Sequence, residues 1–225
     1  MNEIVVTGIV ISVMPIGEYD RRVEILSSEL GRITAFARGA RKPGNQLVSA
    51  TRSFSFGQFT LYQGRSSYTL ISASINNYFD KLIEDLDAAC YGFYFLELAQ
   101  YFSREGVESS EMLKLLYYSL RALSLTTVSH RLVKCIYELR MLAVNGLCPT
   151  LEKLISGYGA YTFASDMSSG CQKAYVYVLD MPIEKLFTFK LSNDCQKEFE
   201  RIVRHLIEQS VDKKFKSLSL IDDIL

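Results

Sequence analysis

The sequence predicts an α+β chain: a small N-terminal β-barrel followed by an α-helical domain. Two observations carry that expectation. Residues 3–76 hold short Val/Ile/Thr/Phe/Tyr runs punctuated at Gly8, Gly17, Gly31, Gly39, Gly44, Gly57 and Gly64, the pattern of short strands joined by tight turns. From Asp80 onward, apolar residues recur at i, i+3, i+4, the period of helices with one buried face.

The expected strands are 4–13, 21–28, 32–38, 54–62 and 67–75. Alternation is clear in two. Ile33, Ala35 and Ala37 share one face against Arg32, Thr34, Phe36 and Arg38, and Ile71, Ala73 and Ile75 oppose Ser72 and Ser74. Five short antiparallel strands in about 75 residues suit a partly open barrel such as the OB-fold. Phe54, Phe56, Phe59 and Tyr62 form an aromatic run at strand spacing, read as filling the barrel or sealing it against a neighbour.

Helical stripes follow at Leu82, Leu86, Ala89, Phe93 and Leu96, at Met112, Leu115, Leu116, Ser119 and Leu123, and at Leu132, Ile136, Leu139 and Ala143. Ser109 or Ser110 and Thr126 or Thr127 are candidate N-caps, and Gly146 is a candidate helix stop. Residues 147–190 read as irregular, with a short β-like run at Ala174–Leu179. A last helix opens at Ser192 or Asn193 and carries Phe199, Ile202, Val203, Leu206 and Ile207. The expected domains are 1–79 and 80–225, with an insert at 151–190.

At 225 residues and 48% apolar, the chain can bury a real core. Its most apolar stretches, near 89–99 and 132–144, are interrupted by Glu97, Lys134, Glu138 and Arg140, too often to span a bilayer. The opening MNEIVVTGIV lacks the basic region and cleavage site of a secretory signal, so a cytoplasmic protein is expected. Five cysteines, never closer than 13 apart, make neither a disulfide framework nor CxxC metal doublets and read as small core residues.

Charge is balanced at 25 basic and 25 acidic residues, but its distribution is uneven. No acid occurs from Leu30 to Phe79, where Arg32, Arg38, Arg41, Lys42, Arg52 and Arg65 supply six positive charges. Such a segment points to a local anionic partner. On the strand expected at 32–38, Arg32, Phe36 and Arg38 share a face, and Arg41 and Lys42 follow. Cations neutralise phosphates and an exposed aromatic gives bases a stacking surface, so these five residues suit a single-strand platform. The plainer reading is a solvated strand with Phe36 covered by the helical part.

Enzyme signatures are poor. Asp85 and Asp87, two apart on an expected helix, point in different directions and make no two-metal site. His130 and His205 lack a local nucleophile or ligand motif and read as surface helix residues. Walker A, GxGxxG and GxSxG motifs are absent from the sequence. The expectation is a protein without catalysis, cofactor or small-molecule substrate.

The string GRITAFARGARK at Gly31–Lys42, preceded by TGIVISVMPIGEYDRRVEILSSELG, resembles the RecO family of bacterial recombination mediators. The resemblance runs through Phe54 and Gly64 to Ile75. It continues more loosely through Gly146-x-x-Pro149 to the C-terminal helix and Lys216-Ser217-Leu218. It implies an N-terminal OB-fold, a helical domain and an insert that in many members binds zinc through two CxxC pairs. Here the first pair is replaced by a cysteine-free stretch, Leu151–Gly157, and the second is reduced to Cys171-Gln-Lys-Ala174, so a degenerate, zinc-free insert is expected.

The resemblance also implies DNA repair by homologous recombination. It implies binding of single- and double-stranded DNA, strand annealing, contact with the single-strand-binding protein, and action with RecR in helping RecA displace it, in the cytoplasm at the nucleoid. By position, the DNA face takes in Arg32, Arg38, Arg41 and Lys42, with Arg21 and Arg22 as further candidates; the residues themselves add Phe36, from its strand face, and Arg52, from the acid-free segment. Arg131, Lys134 and Arg140 lie in the stretch where members hold the acidic tail of the single-strand-binding protein; the alternative is a basic helix surface. Three rival readings stay open: an OB-fold RNA-binding protein, an adaptor that binds only proteins, and a cryptic nuclease.

Overall fold

The structure, a computed structural model, describes residues 3–65, 67–125 and 127–224. The five strands are β1 (Glu3–Ile16), β2 (Asp20–Ser27), β3 (Gly31–Ala37), β4 (Phe56–Gln63) and β5 (Tyr68–Asn77). They close a barrel in the order β1-β2-β3-β5-β4, antiparallel throughout except between β3 and β5. That is the OB-fold. Alternation builds its interior: Val6, Val10, Val23, Ile25, Ile33, Ala35, Ala37, Phe59, Leu61 and Leu70 are buried together. A one-residue slip of any strand would turn its share of this set outward, so the pattern fixes the register.

Three strand-level expectations are corrected. β3 ends at Ala37, so Arg38 leaves the sheet. β4 begins at Phe56, because Phe54 adopts a left-handed backbone (φ 71°), which breaks the extended run, and its ring is buried before the strand starts. Ile71 does not share the inner face with Ala73 and Ile75. A bulge pairs Leu61 with Leu70 and Thr60 with Ser72, which leaves Ile71 as the extra residue, 49% exposed. Of the aromatic run, Phe59 fills the interior and Phe54 is buried, whereas Tyr62 stands outside.

Gly8 and Gly57 face each other where β1 meets β4. A Cβ on Gly57 would lie 2.1 Å from the Ser74 carbonyl oxygen, so only glycine lets the strands approach this closely. A short helix, α1 (Leu47–Ala50), lies in the β3–β4 connection.

The rest is helical: α2 (Asp80–Glu84), α3 (Leu86–Phe102), α4 (Ser110–Leu123), α5 (His130–Val144), α6 (Leu151–Ile155), α7 (Ser169–Asp180), α8 (Asn193–Ser210) and α9 (Lys216–Ile224). Among the described residues no helix is long and apolar enough to cross a membrane. The chain divides into two compact units, residues 1–85 with 96–114, and 86–95 with 115–225. The boundary expected at 79/80 is therefore displaced. Backbone hydrogen bonds from Arg32 to Arg104, Gly106 to Leu30 and Ser109 to Ser28 tie the segment after α3 to the barrel.

The stripe expected from Leu82 to Leu96 is broken. Asp85 takes an extended conformation, and the helix that restarts at Leu86 exposes Leu86 and Phe93 while burying Ala88, Tyr91, Tyr94 and Phe95. Asp85 and Asp87 thus belong to different elements. In the second unit α5 packs against α7 and α8 around Ile136, Tyr137, Tyr175, Phe199 and Val203. α5 is capped by Ser129, whose hydroxyl accepts from the Leu132 N–H, in place of the expected Thr127; Thr126 lies outside the described residues. Gly146 (φ 71°) ends it: the Gly146 and Leu147 N–H groups donate to Ala143 and Leu142, a Schellman stop.

No zinc-finger-like insert is seen at 151–190. The segment forms α6, α7 and two 3₁₀ turns, Gly159–Ala164 and Ile183–Thr188. The β-like run Ala174–Leu179 is helical. Ser168 caps α7, and Cys171, Ala174, Tyr175 and Val178 bury one helical stripe, which overrides the strand preference of its aromatic and β-branched residues.

Candidate nucleic-acid interface

The outer wall of the barrel takes shape from β2 and β3. Arg22 pairs with Phe36 across the two strands, and Met14 of β1 pairs with Arg22. Because Ala35 and Ala37 point inward, Phe36 points out and is 37% exposed. After Ala37 the chain turns at Gly39, whose N–H donates to the Asp20 carboxylate at 2.7 Å. Arg41 follows: its N–H donates to the Tyr19 carbonyl and its guanidinium to the Gly17 carbonyl at 3.2 Å. The Lys42 ammonium lies 4.9 Å from the centre of the Tyr19 ring. The β1–β2 turn therefore positions this basic loop, and Arg38, Arg41 and Lys42 are all exposed. Tyr19, beside Lys42, is a member of this group that sequence reasoning passed over.

Not all of the expected residues join it. Arg32 is turned toward the segment that follows the barrel, its guanidinium donating to the Gln100 carbonyl at 2.9 Å. Gln100 also donates to Glu24 at 2.6 Å, so this end of the β2–β3 wall is covered. Arg32 and Arg38 do not share a groove: one is half-buried on a backbone carbonyl, and the other lies beyond the end of the strand. Arg21 alternates to the inside. Its guanidinium donates to the Val48 carbonyl at 3.0 Å and to the Thr51 hydroxyl at 2.8 Å, satisfying the C-terminal end of α1. Burial, with the Arg41 charge beside it, holds Arg21 below the usual arginine value. Arg52 lies apart, 3.7 Å from Asp80 and 6.0 Å from the Tyr78 ring centre. Arg22 sits in the wall with Glu24 4.0 Å away. The group brought together is Arg22, Phe36, Arg38, Arg41 and Lys42.

The second unit holds a basic pocket of ≈ 250 Å³ lined by Tyr91, Arg131, Lys134, Cys135, Glu200, Arg204 and Ile221. Lys134 pairs with the buried Glu138 carboxylate at 2.9 Å, and the Tyr94 hydroxyl donates to the same carboxylate at 2.6 Å. Burial by itself pulls Lys134 down, but Glu138, with Cys135 and Tyr91 beside it, outweighs that pull, so the ammonium is held above its usual value. Burial and the Asp87 charge push Tyr91 up to about 12. Arg140 is not in this pocket. Its guanidinium donates to the Val178 and Leu179 carbonyls, closing the C-terminal end of α7. Arg204, on α8, was missed because it is 73 residues from Arg131 in sequence and only the α5–α8 packing unites them.

The histidines are not free surface residues. His130 lies 2.7 Å from Asp87 with its side chain 13% exposed, and His205 stacks on Phe163 with ring centres 4.7 Å apart. Among the described residues no three His, Cys, Asp or Glu side chains gather where they could hold a metal ion.

Comparison with known proteins agrees over nearly the whole chain. Two family models match, Recombination protein O N terminal over residues 1–79 and Recombination protein O C terminal over residues 83–175. The DNA repair protein RecO of Acetivibrio thermocellus is 27% identical, over 98% of this chain and 97% of its own length. That of Clostridium acetobutylicum is 26% identical over 96% of both. That of Bacillus cereus is 31% identical over 65% of this chain and 59% of its own length. With the barrel, the helical domain and both family models in agreement, the chain belongs to the RecO family of DNA repair proteins.

Proposed function

We propose that the protein is a non-enzymatic recombination mediator whose barrel captures DNA strands and aligns them for annealing. The observation that carries this reading is Phe36, exposed on the barrel wall next to Arg38, Arg41 and Lys42, in a 50-residue segment without an acid. Phosphates are neutralised by the three cations and an unstacked base covers the ring. No covalent step is required: holding two strands in register lowers the entropic cost of their pairing.

The basic pocket supports the partner side of the reading. Arg131, Lys134 and Arg204 surround a concave site beside apolar Ile221, which suits the acidic, apolar tail of a single-strand-binding protein. Action with RecR to help RecA onto coated strands, in the cytoplasm at the nucleoid, completes the proposal.

Anisotropy titration with DNA and RNA oligonucleotides of equal length tests it. Retention of both single- and double-stranded DNA is expected, with no cleavage in Mg²⁺ or Mn²⁺. Preference for RNA would favour a reader of the 2′-hydroxyl, and no retention at all an adaptor that binds only proteins.

A further inference from the structure

We infer that single-stranded DNA crosses the barrel along a line from Phe36 to Tyr62, each ring holding one unstacked base, so that Tyr62 is a second stacking residue. The inference rests on the nucleic-acid reading above and adds a path and a strand state to it. Three neighbouring strands define the line. Phe36 of β3 pairs with Thr69 of β5, and Thr69 pairs with Tyr62 of β4. Leu61 is fully buried, so Tyr62 points outward; it is 39% exposed against 37% for Phe36. Neighbouring strands lie about 4.8 Å apart, which sets the two rings about 10 Å apart, with only the short Thr69 side chain between them.

The surroundings favour an anionic strand with accessible bases. β3 leaves the sheet after Ala37 while β5 runs on, which opens a groove of ≈ 460 Å³ beside Thr69. Arg38, Asn45, Gln46, Ile71 and Ser72 line it, with one cation, amides and a hydroxyl, and no acid. Between Phe56 and Asn77 the wall carries no carboxylate at all. The first one met beyond Tyr62 is Glu3, directly opposite it on β1. Its charge opposes a phosphate, so the line ends there. A paired base in a duplex offers no free face, whereas any unpaired base stacks on an aromatic ring.

The chain has no tryptophan, so Tyr62→Trp and Phe36→Trp each install a sole reporter at an exposed position. Titration with a single-stranded oligothymidylate should quench both, saturating at the concentration where anisotropy of the labelled strand saturates, and a blunt duplex of equal length should quench far less. Tyr62→Ala should weaken single-strand binding about tenfold or more at an unchanged salt slope, with Tyr62→Phe close to the native protein. Quenching at Phe36→Trp but not at Tyr62→Trp would overturn the path and leave the nucleic-acid reading standing. Equal quenching by duplex would overturn the strand preference. Failure of the native protein to bind any oligonucleotide would remove the underlying reading itself.

Discussion

Removing Arg38 and Arg41 together should change how DNA binding responds to salt more than it changes anything else. Among the described residues, Arg38, Arg41 and Lys42 lie on the wall without an ion pair, whereas Arg22 has Glu24 at 4.0 Å. Each phosphate neutralised on a single strand contributes about −0.7 to the log–log slope of affinity against salt, so three contacts give about −2.1. Between 50 and 200 mM salt the native protein should then lose about 18-fold in affinity, and Arg38→Ala/Arg41→Ala about 2.6-fold. The loss should be alike for different base sequences, because phosphate contacts position a strand without reading it. Anisotropy titrations at four or five salt concentrations measure the slope, and circular dichroism melts check the fold, which exposed substitutions should scarcely move. Arg32→Ala is the control: it should keep the slope and cost about 1.5–3 kcal/mol of stability, since its guanidinium is a charged donor to the Gln100 carbonyl. A double variant with the native slope, measured on folded protein, would refute the assignment of phosphates to this loop.

Four further outcomes are expected. Arg204→Glu should abolish binding of an acidic tail peptide and spare naked DNA, read by calorimetry and anisotropy; Lys134→Ala is a poorer probe because it leaves Glu138 buried without its partner. Gly57→Ala should destabilise the barrel by about 1–3 kcal/mol or more, seen as a lowered melting temperature, because the new methyl meets the Ser74 carbonyl. Burial pushes the Cys148 and Cys171 thiols up to about 12, so roughly one in 10⁴ is thiolate at pH 8 and mass-mapped alkylation should reach them only on unfolding. Elemental analysis of protein purified without chelator should find well under one zinc per chain; near-stoichiometric zinc would mean the loss of the CxxC pairs had been misread.

The barrel was legible because alternation and glycine punctuation are local signals, and each strand carries them unaided. Arg38, Arg41 and Lys42 were legible as a group for the same reason: they lie within five residues of one another. What escaped the sequence is long-range. That Arg32 serves Gln100, 68 residues away, and that Arg21 ends α1 cannot be read from strand parity, which says only which wall a residue is on. As part of the aromatic run, Tyr62 reads as filling the barrel or sealing it against a neighbour, and only its register against Thr69 and Glu3 reveals it as outward. The 174–179 run misled because β-branched and aromatic residues favour strands, while the cap at Ser168 and the buried helical stripe decide the matter in context.

The most direct test of the central claim is the annealing of complementary strands already coated by single-strand-binding protein, followed by fluorescence transfer between labelled ends. The native protein should accelerate it, and Arg38→Ala/Arg41→Ala should lose most of that acceleration at 150 mM salt while remaining folded. No acceleration by the native protein, or equal acceleration by the double variant, would contradict the account of the barrel as the surface that captures and aligns DNA.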